Sequence, residues 1–283
     1  MIDKVLKEMR IDYINKSLIQ TKDGVSVYRI NCENQSYVLK YFMNEEYRRE
    51  IDNYIMLNNL GIKTIQLIAY TKEAILMEDI GISEKYRLAI QSDMEDPIVC
   101  NALATWYKNL HIKGYDYIKK YGSNMYMEAD YFTLENIEYI KNKTNTMNNY
   151  VWKIIDENYE HIVRFLNETK KTITYNDFYY TNMIVAKDKS EVFMFDYNLL
   201  GKGYVASDIK NVTVALSEDG KEAFVDGYGK VDKVEVLLHE VIGTVATLFM
   251  ACKKEVFPEW AIDELDNIKN GTLLNYVQEL LFL

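Results

Sequence analysis

Asp177 and Asn182 stand five residues apart in Thr174-Tyr-Asn-Asp-Phe-Tyr-Tyr-Thr-Asn182, a polar loop between short apolar runs. Val192-Phe-Met-Phe-Asp196 follows as an apolar run that ends in a carboxylate. Phosphoryl transfer needs these parts: one carboxylate to orient an attacking hydroxyl and accept its proton, and oxygen ligands to hold magnesium against nucleotide phosphates. Asp177 suits the first task. Asn182 and Asp196 suit the second, because hard Mg²⁺ prefers carboxylate and amide oxygens. Taken singly, each has an ordinary reading. A loop Asp or Asn usually turns or caps the chain, and a strand-end Asp is a common turn residue. Order and spacing are what make the set informative.

The elements that must carry these residues can be read from local patterns. Residues 17–21 and 25–30 flank Lys22-Asp23-Gly24, which reads as a hairpin turn. A third β-prone run, Ser36–Phe42, makes three antiparallel strands the expectation. A helix should follow, with Asn44 as N-cap and Glu45 and Glu46 in its first turn. Tyr47, Ile51, Tyr54 and Ile55 recur at helical spacing, and Gly61 ends the pattern. Residues 65–70 and 74–78 read as two more strands, and 79–81 as the passage into a different region. From about Asp93 the pattern is mostly helical, with helices expected over 98–111, 150–166, 234–252 and 259–281. A β-rich island at 173–196 interrupts them and carries the loop. The expected plan is a small β-plus-helix lobe over residues 1–80, a hinge near 77–81, and a larger helical lobe over 81–283.

Asp177-x-x-x-x-Asn182, followed by two apolar residues and Asp196, resembles the catalytic segment of the kinase-like small-molecule phosphotransferases: the aminoglycoside phosphotransferases, the choline and ethanolamine kinases, and their relatives. In that family the loop reads roughly His-Gly-Asp or His-Asn-Asp, four residues, then Asn, and the metal aspartate stands in Ile-Asp-Trp or Ile-Asp-Phe. Phe195-Asp196-Tyr197 is similar, and Gly203 and Asp208 resemble the glycine turn and helix-opening aspartate that come next. The resemblance runs from about Ser17 to at least Leu216. It implies an α+β, two-lobed protein-kinase-like fold, with an antiparallel-sheet nucleotide lobe and a mainly helical lobe holding the catalytic loop and acceptor site.

The resemblance also assigns upstream roles. Lys40, in Tyr-Val-Leu-Lys-Tyr, takes the place of the strand lysine that pairs nucleotide phosphates. Glu50, in register with Tyr47 and Tyr54, becomes the partner that holds Lys40, with Glu46 one turn earlier as the competing choice. The hairpin would cover the phosphates with backbone N–H groups near Ser26. Met77, Glu78 and Ile80 would offer the adenine edge backbone groups and a pocket wall. Leu110-His111 resembles the Leu-His that ends the first large-lobe helix, which gives His111 a structural role. Two departures stand out. Tyr175 replaces the usual His, and the hairpin has Gly24 alone instead of a GxGxxG series.

Composition narrows the function classes. With 283 residues, 48% hydrophobic and 27% charged, the chain has an ordinary globular balance. The net charge is −10, and Lys119-Lys120 and Lys170-Lys171 are isolated pairs, so no basic patch for nucleic acid stands out. Acidity fits a cationic partner and plain solubility equally. Cys32, Cys100 and Cys252 are far apart and read as free cytosolic thiols. His111, His161 and His239 form no cluster with zinc spacing. The first residues lack a signal-peptide core, and the most apolar stretch, 241–252, is short for a bilayer span. A cytoplasmic protein without a membrane partner is expected.

The expected activity is ATP- and Mg²⁺-dependent transfer of a γ-phosphoryl group to a small-molecule hydroxyl, with an aminoglycoside-like or other cationic acceptor favoured. Glu255, Glu259, Asp263, Glu264 and Asp266 could face several ammonium groups, although they also read as a solvated helix face. Choline would want aromatic rings, for which Trp260 and Tyr276 are candidates. A choline-, ethanolamine- or sugar-type kinase is one alternative, and a non-catalytic kinase-shaped binding protein is the other. The sequence carries no mark of oligomeric state.

Overall fold

The computed structural model describes residues 1–283, apart from the side chain of Ser123. In chain order the elements are α1 (Ile2–Glu8), β1 (Asn15–Lys22), β2 (Val25–Asn31), β3 (Ser36–Phe42), α2 (Arg49–Asn59), β4 (Leu67–Tyr70), β5 (Ala74–Glu78), β6 (Tyr86–Leu88) and α3 (Pro97–Tyr121). They continue as α4 (Leu134–Lys143), α5 (Tyr150–Glu168), β7 (Thr172–Thr174), β8 (Met183–Ala186), β9 (Val192–Met194), β10 (Gly201–Gly203), α6 (Val205–Thr213), α7 (Glu218–Tyr228), α8 (Lys233–Cys252), α9 (Ile262–Lys269) and α10 (Thr272–Leu281). The class is α+β. Two compact units form, one from Met1–Leu110, Asp177–Leu200 and Val212–Gly229, the other from His111–Asn176, Gly201–Asn211 and Lys230–Leu283.

The first unit holds a five-stranded antiparallel sheet in the order β1-β2-β3-β5-β4. Asp23 and Gly24 both have positive φ, 50° and 78°, and Lys22 pairs with Val25 across them. This is the two-residue turn whose twist matches antiparallel strands. On one sheet face Ile30, Leu39, Tyr41, Ala74 and Leu76 pack against Val5 and Leu6 of α1. Helix α2 does not start at Asn44 as the capping pattern suggests. Asn44 instead caps a 3-10 turn, Glu45–Arg48, accepting from Glu46 N at 3.0 Å, and the α-helix begins at Arg49. A separate antiparallel sheet, β6-β8-β9, carries the loop residues 177–200 within the same unit.

The second unit is built around α8. Leu238, Val241, Ile242, Val245 and Leu248 are buried with Trp152 and Ile155 of α5, Ile137 and Ile140 of α4, and Leu273 and Val277 of α10. At 20 residues α8 is longer than the 241–252 stretch, and by length and composition alone it could cross a membrane. Most of its apolar residues are core residues, with 61% of its most apolar window buried inside the protein, while Val236 and Met250 are exposed. The single helix expected over 259–281 is two helices, α9 and α10, because Gly271 adopts a left-handed φ of 86° between them. Helix α3 runs through to Tyr121 where an end near His111 was expected.

Candidate active site

Strand alternation places Leu39 and Tyr41 in the core, so Lys40 takes the opposite sheet face. There its Nζ lies 2.7 Å from Glu50 Oε2 and 2.9 Å from Asp196 Oδ1. Glu50 is buried on α2, whereas Glu46 is exposed in the preceding 3-10 turn and off the α2 stripe, so Glu50 is the glutamate that meets Lys40. Burial works against the Lys40 ammonium, but Glu50 and Asp196 outweigh it and hold its pKa above the ordinary lysine value. Burial, with Asp196 adding to it, lifts the Glu50 pKa to about 7 against the pull of Lys40 and of the Tyr197 backbone N–H.

The same helix grips the segment beyond Asp196. Asn53 Nδ2 donates to Tyr197 O at 2.8 Å, Arg49 Nε donates to Asn198 Oδ1 at 3.2 Å, and the Tyr54 and Tyr197 rings meet edge-on at 4.7 Å. Asp196 itself has a left-handed φ of 63°, an uncommon conformation for a residue other than glycine. Strained backbone of this kind persists where surrounding contacts fix it.

Asn182 ends a short 3-10 turn, Tyr180–Asn182. Its Nδ2 donates to Asp177 Oδ2 at 3.3 Å, and its carbonyl accepts from Phe195 N at 2.9 Å, which ties the loop to the residue before Asp196. Burial and then the Asp196 carboxylate raise the Asp177 pKa, while Lys40 and Lys22 pull it down. Lys40, Glu50, Asp177 and Asp196 line one cleft of about 220 Å³, together with Gln20, Lys22, Asp23 and Val25 of the hairpin.

The donor chemistry fits magnesium. The Asn182 amide nitrogen is engaged by Asp177, so its side-chain oxygen is the atom that could join the Asp196 carboxylate as a ligand. Among the described residues no group of three or more His, Cys, Asp or Glu side chains forms a self-sufficient metal cage. Two protein oxygens completed by phosphate and water is the usual arrangement for Mg²⁺ at nucleotide sites.

Asn182 is not among the residues that line this cleft, and four further candidates also lie off it. Ser26 sits within β2 between Thr21 and Tyr41, its Oγ 3.0 Å from Thr21 Oγ1. Met77 and Glu78 end β5, with Glu78 N donating to Gln66 O at 3.0 Å, and Ile80 opens the next 3-10 turn. That passage is fixed by Asp79, which accepts from Arg29 Nε at 2.7 Å, Ser36 Oγ at 2.7 Å and Gly81 N at 3.0 Å. Local patterns do not reveal this network, because Arg29 and Asp79 meet only through the sheet. The hairpin from Lys22 to Tyr28 is the element expected over the phosphates, but the sequence singles out neither the Gln20 nor the Lys22 side chain, both of which line the cleft.

In the second unit Asp208 accepts from Tyr175 N at 2.8 Å and Asn176 N at 3.0 Å, and lies 3.0 Å from His111 Nε2. All of this is buried apart from Asn176, which is half-buried with a left-handed φ of 65°. Asp208 uses the backbone N–H of Tyr175, which any residue at that position supplies, and its imidazole neighbour comes from α3. The chain then enters Asp177. Also in this unit, Glu255, Glu259, Asp263 and Asp266 are exposed, Glu264 accepts from Thr244 and Asn267, Trp260 is exposed and Tyr276 is half-buried. A small cavity of about 20 Å³ beside Glu128, Ser207 and His239 is about the size of one water.

No family sequence model and no curated protein sequence matches the chain. Solved structures do match. A choline kinase from Streptococcus pneumoniae shares 13% identity over 97% of this chain and 99% of its own, with a TM-score of 0.60. A macrolide 2'-phosphotransferase from Brachybacterium faecium shares 11% over 92% and 96%, with a TM-score of 0.62. A spectinomycin phosphotransferase, in complex with ADP and spectinomycin, shares 12% over 97% and 95%, with a TM-score of 0.53. The chain therefore has the α+β, protein-kinase-like fold of the choline kinases and antibiotic phosphotransferases, as the resemblance implied.

Proposed function

We propose that this protein is an ATP-dependent small-molecule kinase that transfers the γ-phosphoryl group to a hydroxyl. The observation that carries the reading is Lys40, held between Glu50 and Asp196 in the cleft that Asp177 also lines. Fold likeness alone would not carry it, since one fold hosts many functions.

Each residue has one task. Asp177 orients the acceptor hydroxyl and takes its proton as the oxygen–phosphorus bond forms. The bond from the γ-phosphorus to its bridging oxygen breaks, and ADP leaves with that oxygen. Lys40 contacts the phosphates and Glu50 keeps it in place. Asn182 and Asp196 would hold Mg²⁺, which would supply charge neutralisation on the phosphate oxygens. Backbone groups at Glu78 and Ile80 meet the adenine edge with Met77 behind it, and the strand containing Ser26 roofs the phosphates. Residues 1–80 serve as the nucleotide lobe, and 81–283 bring the catalytic loop and acceptor site in a cytoplasmic protein.

An aminoglycoside-like or other cationic acceptor is favoured by the likeness to a choline kinase and a spectinomycin phosphotransferase, with a choline-, ethanolamine- or sugar-type metabolite as the alternative; the net charge of −10 is compatible with a cation. ³¹P NMR of MgATP incubated with an acceptor panel of aminoglycosides, choline, ethanolamine and sugar alcohols tests the reading. A phosphate ester that forms with the wild type and is lost with Asp177→Asn supports it. MgATP binding without any ester across the panel would favour a non-catalytic binding protein instead.

A further inference from the structure

The hairpin at the cleft is built unlike a glycine-rich phosphate loop. Its Asp23-Gly24 turn is pinned from below, with Gly24 O accepting from Met43 N at 2.8 Å and Asn44 N at 3.4 Å. A Cβ on Gly24 would come within 3.0 Å of Asn44 Cβ. Asn44 also caps the turn that leads into α2, the helix of Glu50. The hairpin tip is therefore tied to the segment that carries the partner of Lys40. Strand β2 is paired on both sides, with Ser26 opposite Thr21 and Tyr41, so its backbone N–H groups are committed to the ladders. Beyond the two N–H groups of the turn itself, what the hairpin can offer an anion is a side chain.

Lys22 is that side chain. It is exposed, lines the cleft with Lys40, Asp177 and Asp196, and makes no ion pair or side-chain hydrogen bond among the described residues. Lys40 is already shared by two carboxylates. Lys22 is thus the cleft cation without a carboxylate of its own. It lies close enough for its charge to act on Asp177, where burial and then Asp196 raise the pKa and Lys40 and Lys22 lower it. Its strand position, locked against Val25 by the tight turn, limits how far its backbone can drift.

We propose that Lys22 is a phosphate-contacting residue whose ammonium binds the terminal phosphate of the nucleotide, supplying from a side chain what a glycine-rich loop supplies from backbone N–H groups. The proposal rests on the reading of the cleft as a MgATP site. A lysine suits the task as a compact charge with three donors, able to follow the terminal phosphate.

Calorimetric titration of MgATP and MgADP into the wild type, Lys22→Gln and Lys22→Arg tests it. Lys22→Gln should weaken MgATP about ten-fold and MgADP less than about two-fold, with Lys22→Arg restoring most of the difference. The unliganded melting temperature should be unchanged, because the side chain is exposed and unpaired. An ATP-to-ADP affinity ratio equal in wild type and Lys22→Gln overturns the role of Lys22 and leaves the MgATP site standing. A wild type that binds neither nucleotide overturns the reading of the cleft, and the role of Lys22 with it.

Discussion

Lys40 Nζ lies 2.9 Å from Asp196 Oδ1 although 156 residues separate them in sequence. The contact joins the central β3 strand to the end of the β8–β9 hairpin, and Glu50 completes it from α2. Without a nucleotide, Asp196 neutralises part of the lysine charge. In the proposed reaction Lys40 turns to phosphate, Asp196 turns to Mg²⁺, and Glu50 stays with Lys40.

Replacing Glu50 with Gln should therefore separate two effects. Turnover should fall by about ten- to a hundred-fold in kcat/KM, because Lys40 loses its fixed partner and follows Asp196. Stability should respond to pH. The Glu50 pKa is raised from 4.5 to about 7, so between these values the folded protein keeps a proton that the unfolded chain releases. That contribution is present below pH 4.5 and is lost as pH rises to about 7. Denaturant unfolding of wild type and Glu50→Gln across this range measures it: the wild-type advantage should shrink as pH rises.

Asp177→Asn should lower turnover by about a hundred- to ten-thousand-fold, the range for losing a positioned general base. MgATP affinity should stay within a few-fold of wild type, since the amide keeps the shape and the bond to Asn182. Stopped-flow turnover and equilibrium nucleotide binding on the same preparation distinguish a catalytic loss from a binding loss.

Asp208→Asn tests the loop anchor. The carboxylate, itself buried, accepts the buried Tyr175 N–H and the half-buried Asn176 N–H beside His111. An amide cannot present two acceptor oxygens, so a donor is left unpaired at a cost of about 2–4 kcal/mol. The midpoint of urea unfolding should drop accordingly. An unchanged midpoint would mean that Asp208 does not organise residues 175 and 176.

His239 makes acid stability predictable. Burial, and then the Lys210 charge, push its pKa from 6.5 down to about 3. The unfolded chain takes up a proton near pH 6.5 that the folded protein refuses. Stability present above pH 6.5 is therefore lost as pH falls toward 3. Melting curves between pH 7.5 and 5 should show a smaller decline for His239→Gln than for the wild type.

Much of the fold was legible because local rules and the final packing agree. The strands at Ser36–Phe42 and Ala74–Glu78 coincide with their β-prone runs, and the Asp-Gly turn formed where the sequence placed it. The convergence of Lys40, Glu50, Asp177 and Asp196 on one cleft could be anticipated only through the order of the motifs, since no periodicity relates β3 to residue 196. Other features left weaker traces. Asn44 followed by two glutamates signals a helical start but does not distinguish a 3-10 turn from an α-helix, so the competition between Glu46 and Glu50 stayed open. The seven-residue α1 is too short for a clear apolar stripe. The bidentate pair of Arg29 and Asp79 depends on β-sheet pairing between distant strands. The Asn270-Gly271 break was visible as a dipeptide, yet flanking helical periodicity masked it.

The central claim is that Asp196 and Asn182 hold a magnesium-bound nucleotide opposite Lys40. Calorimetric titration of ATP into wild type and Asp196→Ala, each with Mg²⁺ and with a chelator, tests it most directly. ATP binding to the wild type that weakens more than about ten-fold on removal of Mg²⁺, with Asp196→Ala losing that dependence, is the predicted result. ATP binding of equal strength in all four titrations, or in none, would contradict it.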